Sequence, residues 1–248
     1  MNRLIFRWMW LILPVLMPVE SSCQETDAPQ FIQEKTRHFS LIAHTRGFGF
    51  GYQQGRIQNI KTTLFWQADL VTMKHPKEYR RTNEAFPNTQ TYSYGKLNRV
   101  YMLRGGVGYS RMLTEKPYWG GVMTAYTLSA GVNISLAEPV FLYILYYDNT
   151  ENEFYRVLER YDPDKHFADN IYGRGPLGSG LSESKIYPGG YFKGAFQFEY
   201  GEEREYLRAL EIGAALDLFP KKIPIMAFTS NSNIYLTFYF ALQIGARS

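Results

Sequence analysis

The sequence predicts an all-β fold, a membrane-spanning antiparallel up-and-down β-barrel of eight strands, and three observations carry that prediction. The first is the segment 233–245, N-I-Y-L-T-F-Y-F-A-L-Q-I-G, where alternate positions put Ile234, Leu236, Phe238, Phe240, Leu242 and Ile244 on one face. Tyr235, Thr237, Tyr239, Ala241, Gln243 and Gly245 fall on the other, a period of two that belongs to strands and not to helices. An unbroken apolar face opposite a small and polar one suits a strand standing between lipid and a packed polar lumen. The second observation is that other segments repeat this pattern. The third is composition: 17% of the chain is aromatic, with 20 Tyr and 17 Phe, against 20% charged. Amphipathic rings are expected in such number where strand ends meet a lipid interface. At 248 residues the chain suits one domain and has room for the strands and their loops.

Residues 1–23 have the order of a secretory signal peptide: Arg3 and Arg7, an apolar run of 12 residues from Trp8 to Val19, then Ser21, Ser22 and Cys23. The run holds two prolines and is too short to cross a bilayer as a helix. Cleavage before Gln24 would leave the mature chain without cysteine. Lipid attachment at Cys23 is the alternative, with Glu20 standing where a lipobox wants an aliphatic residue. Without Arg3, Arg7 and Glu20, the 27 basic and 23 acidic residues become 25 and 22, a mature charge of +3. That balance, with no basic stripe interleaved with exposed aromatics, implies no nucleic-acid partner. No other run reaches about 18 apolar residues, so no membrane helix is expected in the mature chain.

Residues 24–38 read as a polar periplasmic lead-in and 39–248 as the barrel. The first strand is expected over 39–56, where G-F-G-F-G-Y-Q sets Phe48, Phe50 and Tyr52 against Gly47, Gly49, Gly51 and Gln53. Glycines at inward positions leave room in a narrow barrel for large side chains from opposite strands. They are not a phosphate loop, because no helix pattern and no Lys-Ser or Lys-Thr pair follows. Alternation is less clean near His44 and Arg46, as at a bulge or rim. Further strands are expected over 62–73, 100–113, 121–136, 140–147, 191–200, 210–218 and 233–245. The 140–147 segment is apolar on both faces, as a strand covered on its inner side would be. Two connections are long, 74–98 and 148–188, and length without a core pattern marks functional or mobile loops. Counting strands from the periplasm puts the turns near 57–61 and 114–119, the loop 148–188 and the connection 219–232 outside. The same count leaves 74–98 in the periplasm, against the rule of short periplasmic turns. Ring closure is expected between the 233–245 strand and the strand holding Gly47–Gln53.

The motifs G-F-G-F-G-Y at 47–52, K-H-P-K-E at 74–78, Y-G-K-L-N at 94–98 and Y-P-G-G-Y at 187–191 resemble those of a family of small outer-membrane β-barrel proteins of Bacteroidetes. The resemblance covers nearly the whole mature chain. It implies an outer-membrane location and a barrel fold, and no reaction or catalytic residue. At fold level the chain is also similar to small barrels that accompany secretion or barrel-assembly machinery.

The main chemical feature is a set of polar residues expected to face the lumen: Asp69, Arg104, Lys193, Gln197, Glu199, Glu211, Asp217 and Gln243, with Gln67 beside them. An eight-stranded barrel is only wide enough for side chains to fill it, and charges held there must pair. A structural polar core is the first reading and a proton or ion route the second. Trp66, Tyr118, Trp119 and Tyr200 are expected at the membrane interfaces. The four histidines, His38, His44, His75 and His166, have no metal-ligand spacing, and no cofactor motif occurs. An outer-membrane lipid-modifying hydrolase or acyltransferase needs a nucleophile beside a base that a carboxylate orients. His38 and Ser40 share a strand face, yet no acid follows before Arg56 and no G-x-S-x-G elbow is present. The sequence therefore favours a non-enzymatic structural or interaction component of an envelope assembly. Its expected partners are outer-membrane lipid and an envelope protein met through 74–98 and 148–188. A lipid-modifying enzyme and a narrow pore are the alternatives.

Overall fold

The computed structural model describes residues 35–59, 61–83, 86, 89–115, 121–150, 152–200 and 206–247. The expected leader, Cys23, residues 24–34 of the lead-in, Tyr118 and Trp119 lie outside the described residues. Thirteen strands follow in order: β1 (Lys35–His44), β2 (Gly47–Asn59), β3 (Thr62–Met73), β4 (Arg80–Arg81), β5 (Tyr92–Ser93), β6 (Asn98–Thr114), β7 (Met123–Pro139), β8 (Phe141–Asp148), β9 (Glu153–Arg160), β10 (Ile171–Arg174), β11 (Lys185–Glu199), β12 (Tyr206–Leu218) and β13 (Ile234–Arg247).

Eight of these close a barrel in the order β1-β13-β12-β11-β7-β6-β3-β2, each strand antiparallel to both neighbours. Apart from the closing pair β1–β13, every neighbour in the ring is also the neighbour in sequence within the barrel, which is the up-and-down arrangement. The alternation has its expected physical meaning along β13: Phe238 is 61% exposed and Thr237 1%. The other barrel strands repeat it, with Leu64, Trp66, Leu103, Val107, Val132, Phe192, Phe196 and Ile212 turned out of the barrel and exposed. In water such a continuous apolar outer wall would be strongly unfavourable; in hydrocarbon it needs no cover. No helix among the described residues is long and apolar enough to cross a membrane, which says nothing about crossing by strands.

The strand count of eight stands, but two of its members change. The expected strand 39–56 is two strands, β1 and β2, joined by a turn at Thr45–Arg46. The outward residues show why: they are odd-numbered in β1 (Phe39, Leu41) and even-numbered in β2 (Phe48, Phe50), a phase slip that one continuous strand does not tolerate. The first strand also starts at Lys35, so the end of the expected lead-in belongs to the barrel, with Thr36 and His38 buried. The expected strand 140–147 is β8, which leaves the barrel and forms a separate sheet in the order β10-β8-β9. Its two apolar faces fit a strand packed under cover rather than one facing lipid.

These changes move the loops. The turn at 45–46 and the connections 74–97, 140–184 and 219–233 now share one end of the barrel. The connections between β2 and β3, β6 and β7, and β11 and β12 share the other end with Lys35 and Arg247. The expected placement of 74–98 opposite 148–188 is therefore corrected, as is that of the turns near 57–61 and 114–119. A missed turn at 45–46 inverted the count for everything up to β8, which then inverted it back. Closure is corrected as well: β13 pairs with β1, from Thr36↔Arg247 to His44↔Tyr239, and β2 stands one strand further on. The Y-P-G-G-Y segment is not loop but the first half of β11, paired with β7 from Lys185↔Ala137 onward.

Candidate functional site: a filled lumen under a folded cap

Inward parity on six strands delivers the lumen's polar side chains, and the structure gathers the expected residues into three groups. In the first, Arg104 on β6 donates from Nε (2.8 Å) and Nη2 (2.6 Å) to the two carboxylate oxygens of Asp217 on β12. Asn133 on β7 adds Nδ2 to Asp217 Oδ1 at 2.8 Å. Both charged partners are almost fully buried. A fork-shaped guanidinium on a carboxylate is the strongest form of such a pair, and it fixes the distance across the barrel between β6 and β12.

The second group centres on Lys193 of β11. Its ammonium lies 3.4 Å from Asp69 Oδ2 on β3 and 3.2 Å from Glu211 Oε1 on β12, and 4.7 Å from the centre of the Tyr239 ring. Tyr239 Oη donates to Glu211 Oε1 at 2.5 Å, Gln243 Nε2 to Glu211 Oε2 at 2.5 Å, and Gln197 Nε2 to Gln243 Oε1 at 2.6 Å. Gln67 Nε2 donates to Tyr191 Oη at 3.0 Å. The third group, nearest the chain termini, is Arg247 Nη2 on Glu199 Oε2 at 2.6 Å. Arg247 continues the inward parity of β13 past Gly245, where the expected strand ended.

Glycine makes the space. A Cβ on Gly51 would lie 2.4 Å from both Asp69 Oδ1 and Ser40 Oγ, and one on Gly106 would lie 2.6 Å from Tyr191 Oη and 2.4 Å from the Ala130 carbonyl oxygen. No side chain larger than hydrogen fits at either position without moving the network.

Above the polar layer the lumen is apolar and sealed. Ile223, Ile225 and Met226, from the connection 219–233, enter the mouth and pack with Ile42, Val71, Met73, Val100, Met102 and Tyr235. Their backbone is clipped in place. The Ile225 carbonyl accepts from Leu97 N at 2.9 Å, Asn98 Nδ2 donates to the Pro224 carbonyl at 2.6 Å, and Ala227 N donates to the Gly95 carbonyl at 2.7 Å. Asn231 Oδ1 accepts from Ile225 N and Met226 N at 2.8 and 3.2 Å. Nothing in P-K-K-I-P, a short stretch with no period, announced a plug. Ile223 and Ile225, on either side of Pro224, are its only apolar signal before Met226.

Over the plug, β4, β5, β8, β9 and β10 build a cap with its own core of Tyr92, Val140, Leu142, Ile144, Tyr161 and Ile171. Asn83 Nδ2 donates to the Ile171 carbonyl at 2.9 Å, tying the β4–β5 hairpin to the cap sheet. Glu78 accepts from Lys96 Nζ at 2.7 Å and from Ser93 Oγ at 2.9 Å at the seam between hairpin and barrel. The cap sheet's other face carries Tyr147 and Phe154, paired across β8 and β9 and both exposed, with the Arg156 guanidinium over the rings of Tyr143 (5.8 Å) and Tyr172 (5.5 Å).

His38 and Ser40 both face the lumen, on adjacent inward positions of β1, but neither ring nitrogen of His38 has a hydrogen-bond partner among the described residues. Of the other histidines, His166 is buried in the cap, where Nδ1 accepts from Asp162 N at 3.0 Å and Nε2 lies 3.2 Å from Glu159. No group of three or more His, Cys, Asp or Glu among the described residues is placed to hold a metal ion. Of the expected interface aromatics, Trp66 is turned outward on β3 and Tyr200 is exposed just past the end of β11.

No protein-family model matches the sequence, and no curated protein matches it. Among solved structures the chain is similar to neisserial surface protein A, at 8% identity and a TM-score of 0.42, with 86% of this chain and 94% of that one covered. It is also similar to Ail, the attachment invasion locus protein of Yersinia pestis, at 9% identity and a TM-score of 0.39, covering 87% and 99%. A second Ail structure, in complex with the heparin analogue sucrose octasulfate, gives 7% identity and the same TM-score of 0.39. Identities this low carry no residue correspondence and no shared activity.

Proposed function

We propose that the chain is a small outer-membrane barrel that acts by presenting its cap, as a non-enzymatic interaction component of the cell envelope. The observation that carries this reading is the gathering of the long connections at one end, where 74–97 and 140–184 fold into a body with its own buried core. Long connections that only linked strands would have no reason to bury Ile144 and Ile171 completely. In this reading residues 1–23 direct export, the termini end faces the periplasm and the cap faces outward, which restores short periplasmic turns. The resemblance of the 47–52 and 187–191 motifs to Bacteroidetes barrels agrees with it. The open cap face, rich in Tyr, Phe and Arg, has the composition of residues that anchor protein contacts. A pore is disfavoured by two stacked barriers, the apolar plug and the paired charges beneath it. A lipid-modifying enzyme is disfavoured because His38 and Ser40 look into that closed space.

A photo-crosslinking residue placed at Phe154 in living cells tests the proposal, with the same residue at Ala214 on the barrel wall as reference. A discrete protein adduct from position 154 and none from 214 is the expected result. Adducts at neither position, from a barrel that is present and folded, would overturn the interaction role.

A further inference from the structure

Given that the barrel sits in a membrane, we infer that its outer wall carries a built site for one anionic phospholipid, in a groove that crosses β3, β6, β7 and β11. The groove measures about 720 Å³, within the range of sites that hold organic ligands. Its walls are Trp66, Val107 and Phe192 along one register row and Tyr109 and Leu128 along the next, and Ala130 forms its floor. A small side chain between large ones is what opens it: Ala130 stands directly between Val107 and Phe192 on neighbouring strands.

Its direction matters as much as its shape. The row Lys35, Arg56, Leu64, Tyr109, Leu128, Gly194 starts at the first residue of β1 and near the end of β2, at the termini end of the barrel. It finishes at mid-strand on β7 and β11. Barrel strands tilt by roughly 35–45°, so a row that crosses them climbs from the membrane surface towards its middle. The groove is thus cationic at the surface and apolar in depth, the polarity of a lipid with a charged head and a buried chain.

Among the described residues the exposed charged side chains of the lower lip are mainly cationic. Lys35, Arg37, Arg56 and Arg111 are all exposed there. The strands β1, β2 and β6 contain no acidic residue, the single acid of β3 is the inward Asp69, and that of β7 is Glu138 at the cap end. Glu115, in the turn after β6, is the nearest described carboxylate in sequence. A lip of cations over an apolar groove selects a phosphate-bearing, net-negative head over a zwitterionic one, by about fivefold for each lysine or arginine engaged.

The experiment places the full chain in vesicles of equal parts phosphatidylglycerol and phosphatidylcholine, extracts it in mild detergent, and counts retained lipid by native mass spectrometry. The wild type should keep a single phosphatidylglycerol. Ala130→Trp, which fills the floor, should lose it, while Ala43→Trp, exposed on β1 four strands away around the ring, should keep it. Lys35→Gln should reduce the preference for phosphatidylglycerol about fivefold, and this variant decides the matter if Ala130→Trp does not fold. Equal retention of both lipids by the wild type, retention unaffected by Ala130→Trp, or a dimer in place of the lipid would each overturn the site. Gel mobility before and after heating separates the premise from the inference. A wild-type barrel that shows no heat-dependent shift counts against membrane insertion, whereas one that shifts but keeps no lipid counts against the groove alone.

Discussion

Arg104 and Asp217 show what a single buried pair does in a barrel this narrow. Neither could remain charged in the lumen alone, because an isolated ion there forfeits several kcal/mol of hydration. Arg104→Gln should therefore destabilise the barrel by about 3–5 kcal/mol, since it strands the Asp217 carboxylate. Adding Asp217→Asn should recover much of that loss. Unfolding in urea from lipid vesicles reads both, and additive effects would show that the two residues do not act as a pair. Outside the membrane span, Glu78 offers a pH test. Burial pushes its carboxyl up, but the Lys96 hydrogen bond and charge, with Ser93, outweigh that, so it titrates below its ordinary value of 4.5. At Lys96 the balance falls the other way, and burial leaves its pKa below 10.5 despite the carboxylate. The two shifts disagree on how favourable the pair is, and the carboxylate's two donors make Glu78 the better guide in acid. A carboxyl with a depressed folded pKa contributes stability above its unfolded value and loses it as pH falls through the folded one. Amide protection across Ser93–Leu97, taken relative to the intrinsic exchange rate at each pH, should hence be flat from neutrality to about pH 5 and fall below about pH 4.5, and Glu78→Gln should remove the acid dependence. The lumen residues were legible in the sequence because inward parity marks each of them separately. Their pairing was not, because Arg104 and Asp217 are 113 positions apart and only closure of the ring brings them together.

At the level of strands, β13 was readable over nearly its whole length, since one face is apolar and exposed and the other a packed lumen throughout. Phe238→Arg, on the outer face near mid-strand, should weaken insertion by about 2–4 kcal/mol, whereas Thr237→Ser on the inner face should have little effect. Folding yield into vesicles measures both, and equal effects would mean that the faces are reversed. The β1–β2 hairpin was harder to see because its turn at Thr45–Arg46 has only two residues and interrupts no long apolar run. The informative sign was the slip from odd to even outward positions between Leu41 and Phe48, a stronger marker of a turn than the loose alternation at His44. For β8 the difficulty was of another kind. Its residues have strand propensity, but apolarity on both faces reports burial and not membrane contact, and burial under a cap satisfies it as well as burial in a wall. The plug at 219–233 left no periodic trace, because its isoleucines are held by clips from Asn98 and Asn231 and not by a ladder.

The whole molecule consists of two bodies of side chains that share few members: the lumen with its plug, and the cap core around Leu142 and Ile144. Barrel closure depends on the first alone. β7 and β11 pair without interruption from Glu199↔Met123 to Lys185↔Ala137, so Glu138 and Ser184 stand where a two-residue hairpin turn would join them. The plug is different, because Ile223 and Ile225 are fully buried in one cluster with inward residues of the barrel strands. Replacing residues 139–183 by Asn-Gly should consequently leave a closed barrel that still shifts in gel mobility on heating, while abolishing any cap-dependent adduct. Ile225→Ala in the intact chain should instead lower barrel stability by about 2–5 kcal/mol through the cavity it leaves at the mouth. The opposite ranking, a barrel lost with its cap yet indifferent to Ile225, would mean that the cap is part of the closure and not a body carried by it.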